Sequence, residues 1–283
     1  MLKRTISGAV FVMIIVALLI LRQYVDYRIF NILPWFFSIV GTFEIARALK
    51  KYLLKGVFLV AVIYGALFLP HYALIEYLIF SGYGVYFALL TMFVTLLAII
   101  TYCLIKKQSI KLTAINCLGI VYPTLFTLSM VLANDLSVSI GFIAVVCIFA
   151  IAPCTDTFAY LVGMTYKKIK KGNVKPLCPK LSPKKTWAGA IGGVIGGAVA
   201  SILVYLIFMP DLNVFSPLFF FIIIGAIGAV LTEIGDLFES YIKRKVDIKD
   251  IGKIMPGHGG VMDRIDGISF VSAFIYIVFL IVV

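Results

Sequence analysis

The sequence predicts an all-α polytopic integral membrane protein, and three observations carry that prediction. Of 283 residues, 63% are apolar and 13% charged, against roughly 45–50% and 25% in soluble domains. The apolar residues fall in long blocks, not in the short periodic stripes of a soluble core. The 25 Lys and Arg, against 13 Asp and Glu, collect in alternate connections between those blocks. A water-soluble globule, a disordered chain and a disulfide scaffold are excluded. A net charge of +12 would otherwise invite a nucleic-acid reading. Here no nucleic acid is expected, because the positive charge sits at membrane boundaries.

Nine apolar spans run over about 5–21, 29–46, 56–70, 84–105, 112–133, 138–163, 187–209, 216–236 and 267–283. Most reach the roughly 17 to 25 helical residues that cross a hydrocarbon core about 30 Å thick. The first follows Lys3 and Arg4, as a signal peptide would, but runs into Leu21-Arg22-Gln23-Tyr24 where cleavage needs small residues. It is therefore read as a span. The third is short before Pro70 unless it extends through His71. Span seven carries Gly189, Gly192, Gly193, Gly196 and Gly197, a small face that lets another helix approach closely.

Placed in the connections, 23 basic residues fall on one side: Lys3 and Arg4, Arg47 to Lys55, Lys106 to Lys111, Lys167 to Lys185, and Lys243 to Arg264. The other side receives Arg22 and Arg28. Because Lys and Arg are retained in the cytoplasm, this predicts a cytoplasmic N-terminus and a C-terminus outside. The long polar connections 164–186 and 237–266 then face the cytoplasm and should carry the function. On this reading the chain divides into spans one to three (1–83), spans four to six (84–163, a candidate dimerisation region) and a C-terminal catalytic region (164–283). The five cysteines form no C-x-x-C pair and are read as packing residues. His71 and His258 are the only histidines, so a histidine-rich metal site is poorly provided for.

Charged groups inside spans are expensive and by default mark a site. Glu44, Asp156, Glu233 and Asp236 lie there, with Asp263 and Asp266 at the mouth of the last span. A local ion pair with Arg47, three residues on, accounts for Glu44. Glu233 and Asp236 are i, i+3 on one helix face, and so are Asp263 and Asp266. Arriving from adjacent spans, the two pairs fit an oxygen-rich site for Mg²⁺ or another hard cation. Ion pairs with nearby Lys or Arg are the alternative reading. Lys243, Arg244, Lys249 and Lys253 offer donors to anionic oxygens, while Gly257, Gly259 and Gly260 let backbone N–H groups approach a ligand. Ser182-Pro183-Lys184-Lys185-Thr186-Trp187 repeats the theme at the start of span seven. There Ser182 or Thr186 is placed to cap a helix whose N-terminus would attract a phosphate. The run Lys167–Lys175 is read as positive-inside charge and anionic-lipid surface only. Carboxylates for a metal, cations and a Gly-rich turn together describe a polyphosphate site.

The pattern Ser240-x-Ile242-Lys243-Arg244-x4-Lys249-Asp250-x-Gly252-x2-Met255-Pro256-x-His258-Gly259-Gly260-Val261-x-Asp263-Arg264-Ile265-Asp266 resembles the signature of the CDP-diacylglycerol synthases (phosphatidate cytidylyltransferases). Asp156-Thr157-Phe158-Ala159-Tyr160-x2-Gly163 and Ser182–Trp187 resemble two further motifs of that family, so the likeness covers roughly 150–283. Residues 1–140 match in hydropathy alone. Met255 stands where the family usually has Leu, Ile or Phe, and Ala188 where it commonly has Glu; either that carboxylate is dispensable or Glu233 takes its place.

The resemblance implies a homodimeric, multi-pass inner-membrane enzyme that joins phosphatidate to CTP and releases pyrophosphate, with Mg²⁺ and a companion K⁺. Carried onto this chain, it implies Asp236, Asp263 and Asp266 as metal ligands. Asp236 and Asp263, with Lys243, Arg244 and His258, would serve the chemistry, His258 as a hydrogen-bond donor to phosphate or as an acid. Asp156, Ser182, Lys184, Lys185, Thr186, Ser240, Lys249, Asp250, Gly259, Gly260 and Arg264 would bind substrate. A cytidylyltransferase for a polyprenyl or ether-lipid phosphate is the near alternative. Asp263-Arg264-Ile265-Asp266-Gly267 also resembles the start of the CDP-alcohol phosphotransferase motif, but an uncharged span follows where that motif continues. A transporter would spread its ionisable groups across the bilayer, usually with an inverted repeat; here they gather at one face.

Overall fold

The computed structural model describes residues 2–252, 254–255 and 259–282. Among them, nine helices are long and apolar enough to cross a membrane. They are α1 (Leu2–Tyr24), α2 (Ile32–Leu49), α3 (Val57–Leu74), α4 (Gly84–Ile105), α5 (Ile110–Asp135), α6 (Val138–Ile169), α7 (Trp187–Phe208), α8 (Pro217–Lys245) and α9 (Met262–Val282). The expected spans are all present, and the chain is a multi-pass membrane protein.

Their ends differ from the hydropathy limits for identifiable reasons. The third span passes through Pro70 and His71 and continues as a π turn, Ile75–Ile79. A proline is tolerated inside a membrane helix where its surroundings satisfy the freed backbone. Beyond that turn, the Glu76 carboxylate accepts from Gly82 N–H and Gly84 N–H at 2.8 Å each, fixing the connection to α4. α6 and α8 outrun their apolar stretches because Lys167 and Lys168, and Lys243, Arg244 and Lys245, occupy their last turns. Cations there complement the negative end of the helix dipole. α9 begins at Met262, earlier than expected, with Asp263 in its first turn. The two named strands among the described residues form a hairpin, β1 (Pro176–Cys178) with β2 (Ser182–Thr186), paired antiparallel as Pro176 to Thr186 and Cys178 to Ser182.

The chain forms two compact units. The first comprises Met1–Phe11, Asn31–Leu128 and Asp250–Asp263. In it α3 lies on α2 at Gly65, whose carbonyl accepts from Ser38 Oγ at 2.7 Å and where a side chain would collide with Thr42. Ala46, Val57, Ala61, Ile99, Cys103 and Ile120 form its buried apolar centre. The second comprises Val12–Phe30, Ser129–Lys249 and Arg264–Val283. In it the small face of α7 does what its glycines suggest. A Cβ on Gly192 would strike Val162, one on Gly196 would strike Phe158, and one on Gly197 would strike Ala229, so α7 packs directly on α6 and α8. Arg22 is 1% exposed; its Nε donates to Asn134 Oδ1 at 2.5 Å and its Nη1 to Val138 O at 2.9 Å. This buried arginine thus holds the α5–α6 corner. The two units draw on interleaved stretches of chain.

Thr186 closes β2 and caps α7, its Oγ1 accepting from Gly189 N–H at 3.1 Å. Replacing such a cap by alanine costs about 1 kcal/mol. Thr186→Ala is expected to lower the thermal midpoint modestly while Thr186→Ser leaves it near wild type, as read by melting in detergent.

Candidate functional site

In the second unit the hairpin delivers Lys184, Lys185 and Thr186 to the N-terminus of α7. Backbone N–H groups at that end carry partial positive charge and suit an anion. Lys185, with 21% of its side chain exposed, reaches α8 and places its Nζ 2.5 Å from Glu233 Oε2 and 2.5 Å from Asp236 Oδ2. The i, i+3 spacing of the two acids on α8 is what lets one ammonium bridge both. Burial alone would lower the Lys185 pKa, but the charges of Asp236 and Glu233 outweigh it and hold the value above the ordinary lysine range. The acid pair is ion-paired to Lys185 in this geometry. Asp156, on α6, and Asp266, on α9, lie within electrostatic reach of Asp236. Asp266 is buried and its Oδ1 accepts from Gly267 N–H at 2.8 Å.

Beside the bridge lies a cavity of about 420 Å³ lined by residues of α6, β2, α7 and α8, among them Asp156, Lys167, Lys184, Lys185, Thr186 and Glu233. Tyr160, Met164 and Ala190 supply part of its apolar wall. It presents cations, a helix N-terminus and an apolar side together, as an amphiphile with an anionic head requires. Lys167 was assigned above to the lipid surface only; the structure puts it on this cavity.

The first unit holds the glycine-rich loop. Asp263 Oδ2 accepts from Gly260 N–H at 2.8 Å, Ile251 N–H at 3.0 Å and Gly252 N–H at 3.4 Å. Met255 N–H donates to Gly259 O at 2.9 Å, and Gly259 has φ +87°, a conformation that favours glycine. Asp263 therefore organises the backbone that the sequence reading expected to face a phosphate. Glu44 does not pair with Arg47. It is 1% exposed, and its Oε2 accepts from Met262 N–H at 3.0 Å, because a buried carboxylate finds better donors at the start of α9 than in an exposed neighbour.

The remaining expected residues are placed as follows. Lys243 is buried on α8 with its Nζ 2.9 Å from Glu239 Oε1, one helical turn back. Glu239 was not singled out from the sequence, although the i, i+4 spacing with Lys243 was a readable signal. Ser240 is buried beside it. Arg244, Lys249, Asp250 and Arg264 are exposed, and Ser182 is half-buried. His258 lies outside the described residues, as do Lys253, Pro256 and Gly257. Among the described residues no three His, Cys, Asp or Glu side chains converge to hold one metal ion.

The sequence pattern of the cytidylyltransferase family matches residues 2–282. Among curated proteins the chain is 42% identical over 133 residues to a phosphatidate cytidylyltransferase of Rickettsia conorii, covering 46% of this chain and 54% of that one. It is 47% identical over 124 residues to the Rickettsia prowazekii protein of the same name, covering 42% and 51%. The Brucella abortus protein, again a phosphatidate cytidylyltransferase, is 36% identical over 137 residues, covering 48% and 47%. The matched stretch spans about half the length of these relatives.

Proposed function

Because this chain belongs to the cytidylyltransferase family, we propose that it transfers the cytidylyl group of CTP to phosphatidate, giving CDP-diacylglycerol and pyrophosphate. The observation that carries the reading is the Lys185 bridge to Glu233 and Asp236, set at the N-terminus of α7 on a cavity with cationic and apolar walls. A phosphatidate phosphate is already anionic at neutral pH, so the nucleophile needs no strong base. Its oxygen attacks the α-phosphorus of CTP, a P–O bond forms, and the bond to the bridging oxygen breaks as pyrophosphate leaves with its electron pair. The chain's task is to hold two polyanions together and to neutralise the leaving group. Lys184, Lys185 and the capped α7 terminus bind and orient a phosphate. Arg244, Lys249 and Arg264 are exposed and offer their cations to the triphosphate. The apolar cavity wall keeps acyl chains against the membrane while the head group meets soluble CTP.

The donor set fits a hard cation. In the second unit Asp156 and Asp266 lie within electrostatic reach of Asp236, and Lys185 bridges Asp236 to Glu233. Mg²⁺ characteristically takes one or two carboxylates and fills its sphere with water and phosphate oxygens, so a three-carboxylate cage is not required. Asp236 and Asp266 are the ligands proposed in the second unit and Asp263 the one proposed in the first, with K⁺ as a companion. Bound there, the metal supplies charge neutralisation on the triphosphate. A homodimer in the inner membrane, with its N-terminus and active site on the cytoplasmic side, completes the proposal, supported by the 23-to-2 division of basic residues.

The test is incorporation of labelled CTP into chloroform-soluble product by the purified chain with phosphatidate and Mg²⁺. Label should appear in the lipid phase, vanish with EDTA, and fall at least about 100-fold in Asp236→Ala. Label with a polyprenyl or ether-lipid phosphate but none with phosphatidate would replace the substrate. No label with any lipid phosphate from folded protein would overturn the reading.

A further inference from the structure

Glu44 sits on α2, in the half of the chain whose sequence showed no motif. Its carboxylate nevertheless lies directly beneath the glycine-rich loop. A Cβ added to Gly252 would collide with Glu44 Oε1, and one added to Gly260 would meet both carboxylate oxygens, so at both glycines the loop backbone rests on this side chain. Glu44 Oε2 accepts from Met262 N–H at 3.0 Å. That amide opens α9, where the unsatisfied N–H groups and the positive end of the dipole favour a carboxylate. The next residue is Asp263, whose Oδ2 gathers the amides of Ile251, Gly252 and Gly260. Two carboxylates thus grip one loop: Asp263 from within it and Glu44 from a helix remote in sequence. Burial of an acid at 1% exposure is expensive unless something is gained by its position.

We infer that Glu44 is a positioning residue for the proposed reaction, holding the loop and the first turn of α9 in the arrangement that presents Asp263. The inference rests on the function proposed above. It extends the working site to a helix that contributes nothing to the phosphate-binding cavity. Glu44 need not touch substrate; it acts through Gly252, Gly260 and Met262.

The experiment uses the full chain in lipid nanodiscs and compares wild type with Glu44→Ala and Glu44→Gln. One readout is hydrogen exchange at Val261 and Met262, which needs no activity. The other is the split of kcat against KM for phosphatidate. Glu44→Ala is expected to speed exchange at Met262 at least about tenfold. It should lower kcat at least about tenfold while KM for phosphatidate stays within about twofold, because the head-group cavity is built by other residues. Glu44→Gln keeps a carbonyl acceptor for Met262 N–H and should stay within about threefold of wild type in both readouts. Unchanged exchange in Glu44→Ala would show that Glu44 does not hold the loop. Faster exchange with wild-type kcat would make the anchor structural only. Equal damage in both variants would assign the role to the negative charge itself and overturn positioning. If the wild-type chain transfers no cytidylyl group, the proposed function fails, while the exchange measurement still decides whether Glu44 anchors the loop.

Discussion

Lys185→Met is expected to produce a chain that melts markedly earlier and transfers at least about 100-fold less cytidylyl group than wild type. The ammonium bridges Glu233 and Asp236 at 2.5 Å each, and removing it leaves two carboxylates one helical turn apart with their charges facing each other. Breaking a buried pair by deleting one partner costs about 3 kcal/mol, mostly as the penalty on the charge left behind. Lys185→Met combined with Glu233→Gln removes that repulsion. The double variant should recover most of the melting temperature but not the activity, since the cation at the α7 terminus is still missing. Recovery of both would reduce Lys185 to a structural counter-ion. The same bridge sets a pH dependence. The folded-state pKa of Lys185 is raised, so the stability it contributes is complete below the ordinary lysine value and drains away as pH rises through the folded one. Melting should hold through neutral and mildly alkaline pH and fall beyond, and that alkaline fall should be smaller in Lys185→Met.

Part of this geometry was legible in the sequence, and the division follows physical lines. The nine spans are readable because hydropathy summed over about twenty residues overwhelms local detail. Their ends are not, because α8 is carried on to Lys245 by cations and an internal Lys243–Glu239 pair, features that hydropathy scores as polar connection. The hairpin at 176–186 escapes for a related reason: its pairing is local and its residues, Ser182-Pro183-Lys184-Lys185-Thr186, show no alternation of apolar and polar positions. The Thr186 cap is readable, since a hydroxyl immediately before a helical run has few other uses. Glu44 is misread because Arg47 stands three residues away, whereas the amide that it serves is 218 residues along the chain. Lys167 is misread because a run of lysines hides which one faces a cavity. For Glu44 the deciding partner is distant in sequence, and no single-sequence pattern encodes it.

Asp263 offers the sharpest separation of two roles, since a loop organiser and a metal ligand respond differently to the loss of charge. Asp263→Ala removes the acceptor shared by the amides of Ile251, Gly252 and Gly260. Buried donors left without a partner cost about 1–3 kcal/mol each when well formed. With one of the three bonds long at 3.4 Å, a total of about 3 kcal/mol is expected, or roughly 150-fold in the local opening equilibrium. Hydrogen exchange at Ile251 and Gly260 should accelerate accordingly, and activity should disappear with it. Asp263→Asn retains a carbonyl in the same place, so exchange should stay close to wild type. Its activity then decides the matter. A fall of at least about 100-fold behind an intact loop would mean that the carboxylate charge works on something other than the three amides, as a ligand to Mg²⁺ must. Activity near wild type in Asp263→Asn would leave Asp263 as the loop's keystone alone. The metal would then rest on the carboxylates of the second unit, Asp236 and Asp266.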